Sequence, residues 1–169
     1  MQSDLENMHR ERVACELERF SGRWSGSLLA RLLLFKGEPG PAERAGGAVL
    51  SGADGDAVRR SLERLGFAQD DMLAVNVSPA SGFAPTAADV RRAVFAVDPL
   101  VVVALDPTAT RLVERAFELD EPIELGRVAQ ALGYRLVAVE GFEELIATAE
   151  GKKRAWHQLR AATRPGEPW

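Results

Sequence analysis

The chain has 169 residues, 46% hydrophobic and 27% charged, and carries a formal net charge of -4. That length fills one core and is short for two domains, the composition is that of a globular rather than a disordered chain, and no apolar run approaches the ~20 residues of a membrane helix. One cysteine, Cys15, excludes an internal disulfide and an all-cysteine metal site, and the negative charge argues against a protein that coats nucleic acid nonspecifically. The opening Met1 to Glu6 is polar and acidic, unlike a secretory signal, so a cytoplasmic protein forming one unit over 1–169 is expected, with 1–26 as N-terminal helix and connector.

From Asp4 to Phe20 the apolar residues Leu5, Met8, Leu17 and Phe20 fall near helical spacing among charges, predicting an amphipathic helix. The run from Ser21 to Gly26 breaks it. Leu28 to Phe35 is almost wholly apolar and stops at Gly37-Glu38-Pro39-Gly40-Pro41, the pattern of a buried parallel strand feeding a loop. Asp54 is placed to cap a helix carrying Val58, Leu62 and Leu65, with Gly66 as its stop. Met72 to Val77 reads as a strand, and Pro85-Thr86 opens a helix with Val90, Val94 and Val97 on one face. Leu100 to Leu105 is the clearest buried strand. Asp106-Pro107 starts the next helix, a further helix runs to about Leu132 with Gly133 as its stop, Tyr134 to Val139 is the last strand, and a final helix holds Ala155, Trp156 and Leu159.

Strands alternating with helices predict a three-layer α/β/α sandwich around a central, mainly parallel four-stranded sheet. Ligands of such sheets sit at the carboxyl ends of the strands, which directs attention to loops 36–53, 76–85, 106–108 and 140–146. In the first of these the glycines allow a close backbone approach, Glu38 is a carboxylate beside a rigid proline, and the pattern is not that of a nucleotide P-loop. In the second, the Asn76 amide both donates and accepts, as reading a base edge requires. Basic clusters at Arg59-Arg60, Arg91-Arg92 and Lys152-Lys153-Arg154 read as solvated helix faces or as phosphate contacts.

The order of these words resembles the uracil-DNA glycosylase superfamily, especially its bacterial and archaeal iron–sulfur branches. Pro39-Gly40 is followed by six residues and then Gly47-Ala48-Val49-Leu50-Ser51-Gly52, where the family has Gly-Arg-Pro-Phe-Val-Gly. Leu65-Gly66-Phe67, Asp70-Asp71 and Val75-Asn76-Val77 follow in family order, then Pro85 to Val97, Val101 to Asp106, and a closing segment from Glu150 to Leu159. The resemblance implies that Asn76 contacts the base and that Gly37, Pro39, Gly40 and Leu50 line its pocket. Leu50 stands where the family has a stacking phenylalanine. Counting back from Pro39-Gly40 without a gap puts Gly37 at the family's glutamate, and deleting one residue puts Glu38 there.

The departures are as informative. At the family's His-Pro-Ser this chain reads Glu140-Gly141-Phe142-Glu143-Glu144-Leu145, so an imidazole that supports leaving-group charge has become a carboxylate. His9 and His157 lie in the first and last helices and do not replace it. Ser78-Pro79-Ala80 stands at the Lys-Cys-Arg segment, and Cys15 alone cannot hold an iron–sulfur cluster, so no cofactor and no metal are expected; Cys15 reads as a small buried hydrophobe. Remaining candidates for DNA contact are Phe142 and Leu145 as wedges and Lys152, Lys153 and Arg154 as phosphate ligands. The implied function is a divergent superfamily protein with lost or reduced uracil excision and a residual nucleic-acid- or partner-binding role, nucleoid-associated if it binds DNA. Two alternatives stay open: an active glycosylase for a deaminated base in which Glu38 or Glu43 orients water, and a protein-interaction module using the acidic stretches Glu140 to Glu144 and Glu114 to Glu124. No membrane partner is expected.

Overall fold

The computed structural model describes residues 1–80 and 82–163, so residue 81 of the loop expected over 76–85 lies outside the description. In chain order the elements are α1 (Gln2–Leu17), β1 (Trp24–Gly26), β2 (Leu32–Lys36), α2 (Pro41–Arg44), α3 (Ala53–Arg64), β3 (Met72–Asn76), α4 (Ala87–Val97), β4 (Val101–Ala104), α5 (Pro107–Ala116), β5 (Ala129–Ala131), β6 (Tyr134–Ala138), α6 (Phe142–Leu145) and α7 (Ala149–Leu159). The sheet has six strands rather than four, ordered β1-β3-β2-β4-β6-β5. Its middle four are the expected parallel strands, and β1 and β5 close the two edges antiparallel.

The central strands are buried on both faces, which is why they read as unbroken apolar runs. One face packs Leu33, Phe35, Val75 and Val102 against Val13 and Leu17 of α1, Val90 and Val94 of α4 and Val113 of α5. The other packs Leu34, Ala74, Val103 and Val137 against Val58 and Leu62 of α3, Phe142 and Leu145 of α6 and Leu159 of α7. From β2 the chain crosses through α3 to β3 on one side, then returns through α4 past β2 to β4, as right-handed crossovers demand. The topological reversal therefore falls between β2 and β4, with the loops after them facing each other.

Several expectations need correction. No helix runs to Leu132: Pro122 and Gly126 interrupt that stretch, and Ala129–Ala131 pairs with β6. Leu132 and Gly133, at φ of 51° and 87°, make the two-residue turn of this hairpin, a job that demands positive φ at both central positions. Gly52 rather than Asp54 caps α3, because the Asp54 carboxylate is drawn inward to Lys36. On α1, Leu5 and Met8 are exposed, and only Val13 and Leu17 are buried. Cys15 lies on the outer side of that helix and is exposed, not buried. No helix among the described residues is long and apolar enough to cross a membrane.

Candidate functional site

At the carboxyl end of the sheet, the alternation of the strands turns Lys36 and Asn76, which are in register, toward the same face. Both are buried, at 4% and 3% exposure. The Lys36 ammonium meets the Asp54 carboxylate in a short contact, Glu43 at 2.8 Å and Glu143 at 3.7 Å. Burial pushes its pKa down, yet hydrogen bonds and charge from Asp54 and Glu43 outweigh that and hold it above the ordinary lysine value. Glu43 in turn accepts from the backbone N–H of Gly40 (2.6 Å) and of Leu50 (2.8 Å). One buried lysine thereby fixes both ends of the first loop. At Gly40 a Cβ would stand 3.1 Å from both the Lys36 ammonium and the Glu143 carboxylate, close enough to press on both side chains.

A second carboxylate ties that loop to the opposite strand. Asp106 caps α5 through Oδ1, which accepts from Ala109 N–H at 2.8 Å. Its Oδ2 accepts from the N–H groups of Gly37 (2.7 Å) and Glu38 (3.0 Å). Gly37 fits because any Cβ would lie 2.6 Å from the Asp106 carboxylate. Asp106→Ala is expected to cost about 2–4 kcal/mol, a lost cap plus two unpaired backbone donors. Asp106→Asn, which keeps the cap but turns an amide toward the loop donors, isolates the loop's share; denaturant titration of the two variants reads the difference.

These ties fill the crevice between β2 and β4. What remains there is a hole of about 10 Å³ lined by Lys36, Glu38, Leu50, Asp106 and Phe142, among others, room for about one water. A separate cleft of about 600 Å³ opens on the other side of the first loop, with Arg23, Pro39, Arg44, Val49, Asn76 and Ser78 in its walls. The sequence-predicted residues are thus divided. Asn76 and Pro39 line the large cleft, whereas Glu38 and Leu50 line the small one. Leu50 is 2% exposed at φ 56° and packs in the core, so it offers no face to a ligand beside Asn76. The exposed Glu38 accepts from the Thr108 hydroxyl at 2.7 Å.

Arg23 is the residue that sequence reasoning missed. β1 pairs with β3, and Asn76 N–H donates to Arg23 C=O at 2.9 Å, which sets the two side chains next to each other. Arg23 Nη1 donates to Asn76 Oδ1 (3.3 Å) and Ser78 Oγ (3.1 Å). Asn76 Oδ1 also accepts from the N–H (2.8 Å) and hydroxyl (2.5 Å) of Ser78. Its carbonyl is therefore spent on internal donors, and the amide group presents donors rather than a donor–acceptor pair to a ligand.

The last loop is equally occupied by internal bonds. Glu140 pairs with Arg154 at 2.6 Å, and Gln158 donates to it at 3.3 Å. Phe142 and Leu145 are 3% and 4% exposed and belong to the core under α3 and α7. They are unavailable as wedges because burying them closes this end of the sheet. Lys152, Lys153 and Arg154 are exposed along α7. Elsewhere Arg59 donates to Leu50 C=O, and Arg91 and Arg92 pair with Glu118 and Asp89. Of the acidic stretches, Glu114 accepts from Ile123 N–H at 2.9 Å, and Glu140 and Glu143 are ion-paired. Among the described residues no group of three or more His, Cys, Asp or Glu is placed to hold a metal, and Cys15 alone does not fit a thiolate-bound cluster. Comparison with known proteins finds no family model that matches the chain and no match among curated proteins.

Proposed function

We propose that this chain is a divergent uracil-DNA glycosylase-like protein, an α/β/α sandwich that binds nucleic acid at the Asn76 cleft without excising uracil. One observation carries the reading: Glu38, the carboxylate that would orient water, and Asn76, the residue that would hold the base, open into different cavities. Excision needs them on one substrate. Two further features agree with it. The Asn76 carbonyl is already engaged by Ser78 and Arg23, so it is not free to accept the imino hydrogen of uracil. Glu140, at the position of the family's histidine, is neutralised by Arg154 and offers no positive charge to a departing anion.

The test uses the full chain in excess over single- and double-stranded oligonucleotides bearing one uracil, with alkaline cleavage of abasic sites as readout. The expected result is no shortened product, together with salt-sensitive retention of the single strand. A shortened product that vanishes in Glu38→Ala or Asn76→Ala would refute the loss of excision. Retention that is absent at low salt would remove nucleic acid from the reading and leave a protein partner.

A further inference from the structure

Arg23 is a cation without a counter-charge. Lys36, two strands away at the same end of the sheet, has three carboxylates around it. No ion pair to Arg23 occurs among the described residues, and its only partners are the neutral Asn76 and Ser78. The nitrogens left over are Nε and Nη2, both closed to solvent and without a hydrogen-bond partner. Burial lowers the pKa of this guanidinium, as expected of a charge removed from water and not repaid by an anion.

The choice of nitrogens is what points to a ligand. Nε–H and Nη2–H lie side by side on one edge of the guanidinium, the edge that receives two oxygens of a carboxylate or phosphate in a bidentate grip. Nη1, on the other edge, is the nitrogen that Asn76 and Ser78 hold. The side chain is therefore anchored by one nitrogen with its oxyanion edge left over. The adjoining cleft has room for a ligand of about 600 Å³, and Arg44 adds a second positive charge to its wall. Its one carboxylate, Glu43, is already matched by Lys36 at 2.8 Å. Asn76, with its carbonyl spent, adds donors beside Arg23. The charged side chains of this wall are thus Arg23 and Arg44, with Glu43 matched elsewhere.

We infer that the Arg23–Asn76 cleft is a phosphate site, in which the Nε/Nη2 edge of Arg23 grips two phosphate oxygens and the Asn76 amide donates to the same group. That edge is closed to solvent without ligand, so phosphate must displace what covers it to supply the missing counter-charge. The site does not depend on how excision was lost, and its phosphate comes either from a strand end or from a free phosphorylated small molecule.

Thermal unfolding of the full chain in rising inorganic phosphate, against chloride at equal ionic strength, tests it. The expected result is a saturable rise in Tm of roughly 5–10 °C when phosphate reaches a hundred times its dissociation constant. Arg23→Met removes the guanidinium together with its Nη1 hydrogen bonds to Asn76 and Ser78; its Tm in chloride sets its own baseline, and the rise with phosphate should be lost. Arg23→Lys, which keeps charge but not the fork, should keep only a small part of it and guards against a folding defect in the first variant. Equal Tm values in phosphate and chloride, or an unchanged rise in both variants, would overturn the site. Competition separates the sources: a 5′-phosphorylated oligonucleotide that displaces phosphate where its 5′-hydroxyl twin does not identifies a strand end. Displacement by neither, with the phosphate response intact, assigns a small molecule and counts against the nucleic-acid reading alone.

Discussion

Lys36→Met is expected to destabilise the fold by about 3–5 kcal/mol, the usual cost of removing one partner from a buried charge cluster. The side chains of Lys36, Glu43 and Asp54 are 5%, 7% and 10% exposed, so water cannot replace the ammonium once it is gone. Methionine fills the volume, which leaves charge as the difference measured. The loss should reach beyond stability, because Glu43 holds the N–H groups of Gly40 and Leu50 only while it is itself held. The cost should also depend on pH in one direction. Lys36 has a folded pKa above its ordinary value of 10.5, so its contribution is complete below that value and is lost as pH rises through the higher folded one. The gap between native chain and variant should therefore narrow above pH 10.5. Tyr134, pushed up to about 12 by burial and then by Asp98, also removes stability at alkaline pH, but equally in both proteins. Urea midpoints across pH 7–11 measure the gap. A gap under 1 kcal/mol at pH 7 would mean that the three carboxylates do not rely on Lys36.

Much of this architecture is legible in the residues alone, and the illegible parts share a cause. Three of the four parallel strands announce themselves because they are buried on both faces, and β6 by its buried Leu136, Val137 and Ala138. The edge strands do not: Trp24-Ser25-Gly26 and Ala129-Gln130-Ala131 are three residues each, partly exposed, and become strands only by pairing with a neighbour already in place. Leu132-Gly133 shows the same ambiguity, since a glycine after an apolar residue ends a helix as readily as it turns a hairpin. The site divides along this line. Asn76 stands at the end of a readable strand, and its loop could be found. Arg23 reaches it only through the antiparallel pairing of β1, which no local pattern declares. Lys36 falls at the start of the loop expected over 36–53, and nothing local marks it as buried, because its partners arrive from the first loop, from α3 and from α6. The direction of the Glu38 side chain is not legible in the sequence, because it follows from the backbone donors of Gly37 and Glu38 turning toward Asp106.

Gly55→Ala should reverse the ordinary sign of a glycine substitution in a helix. Alanine normally stabilises a helical position by about 1 kcal/mol over glycine. Here a Cβ would stand 1.8 Å from the Leu50 carbonyl oxygen and 2.5 Å from its carbon, distances that neither backbone can tolerate. α3 and the turn at Leu50 must separate, and the expected cost is about 3 kcal/mol or more, at the upper end of overpacking. The damage has a defined route to the site. The Leu50 carbonyl accepts from Arg59 at 2.8 Å, its N–H donates to Glu43, and Val49 beside it forms part of the large cleft's wall. Gly46→Ala is the matched control: its φ is 91° but nothing lies within 4 Å of a Cβ there, so only backbone strain of about 1–2 kcal/mol applies. Denaturant midpoints for the two variants separate collision from conformation. If Gly55→Ala were as stable as the native chain, α3 would have to lie farther from the turn, and Leu50 could no longer be the fixed wall that divides Glu38 from Asn76.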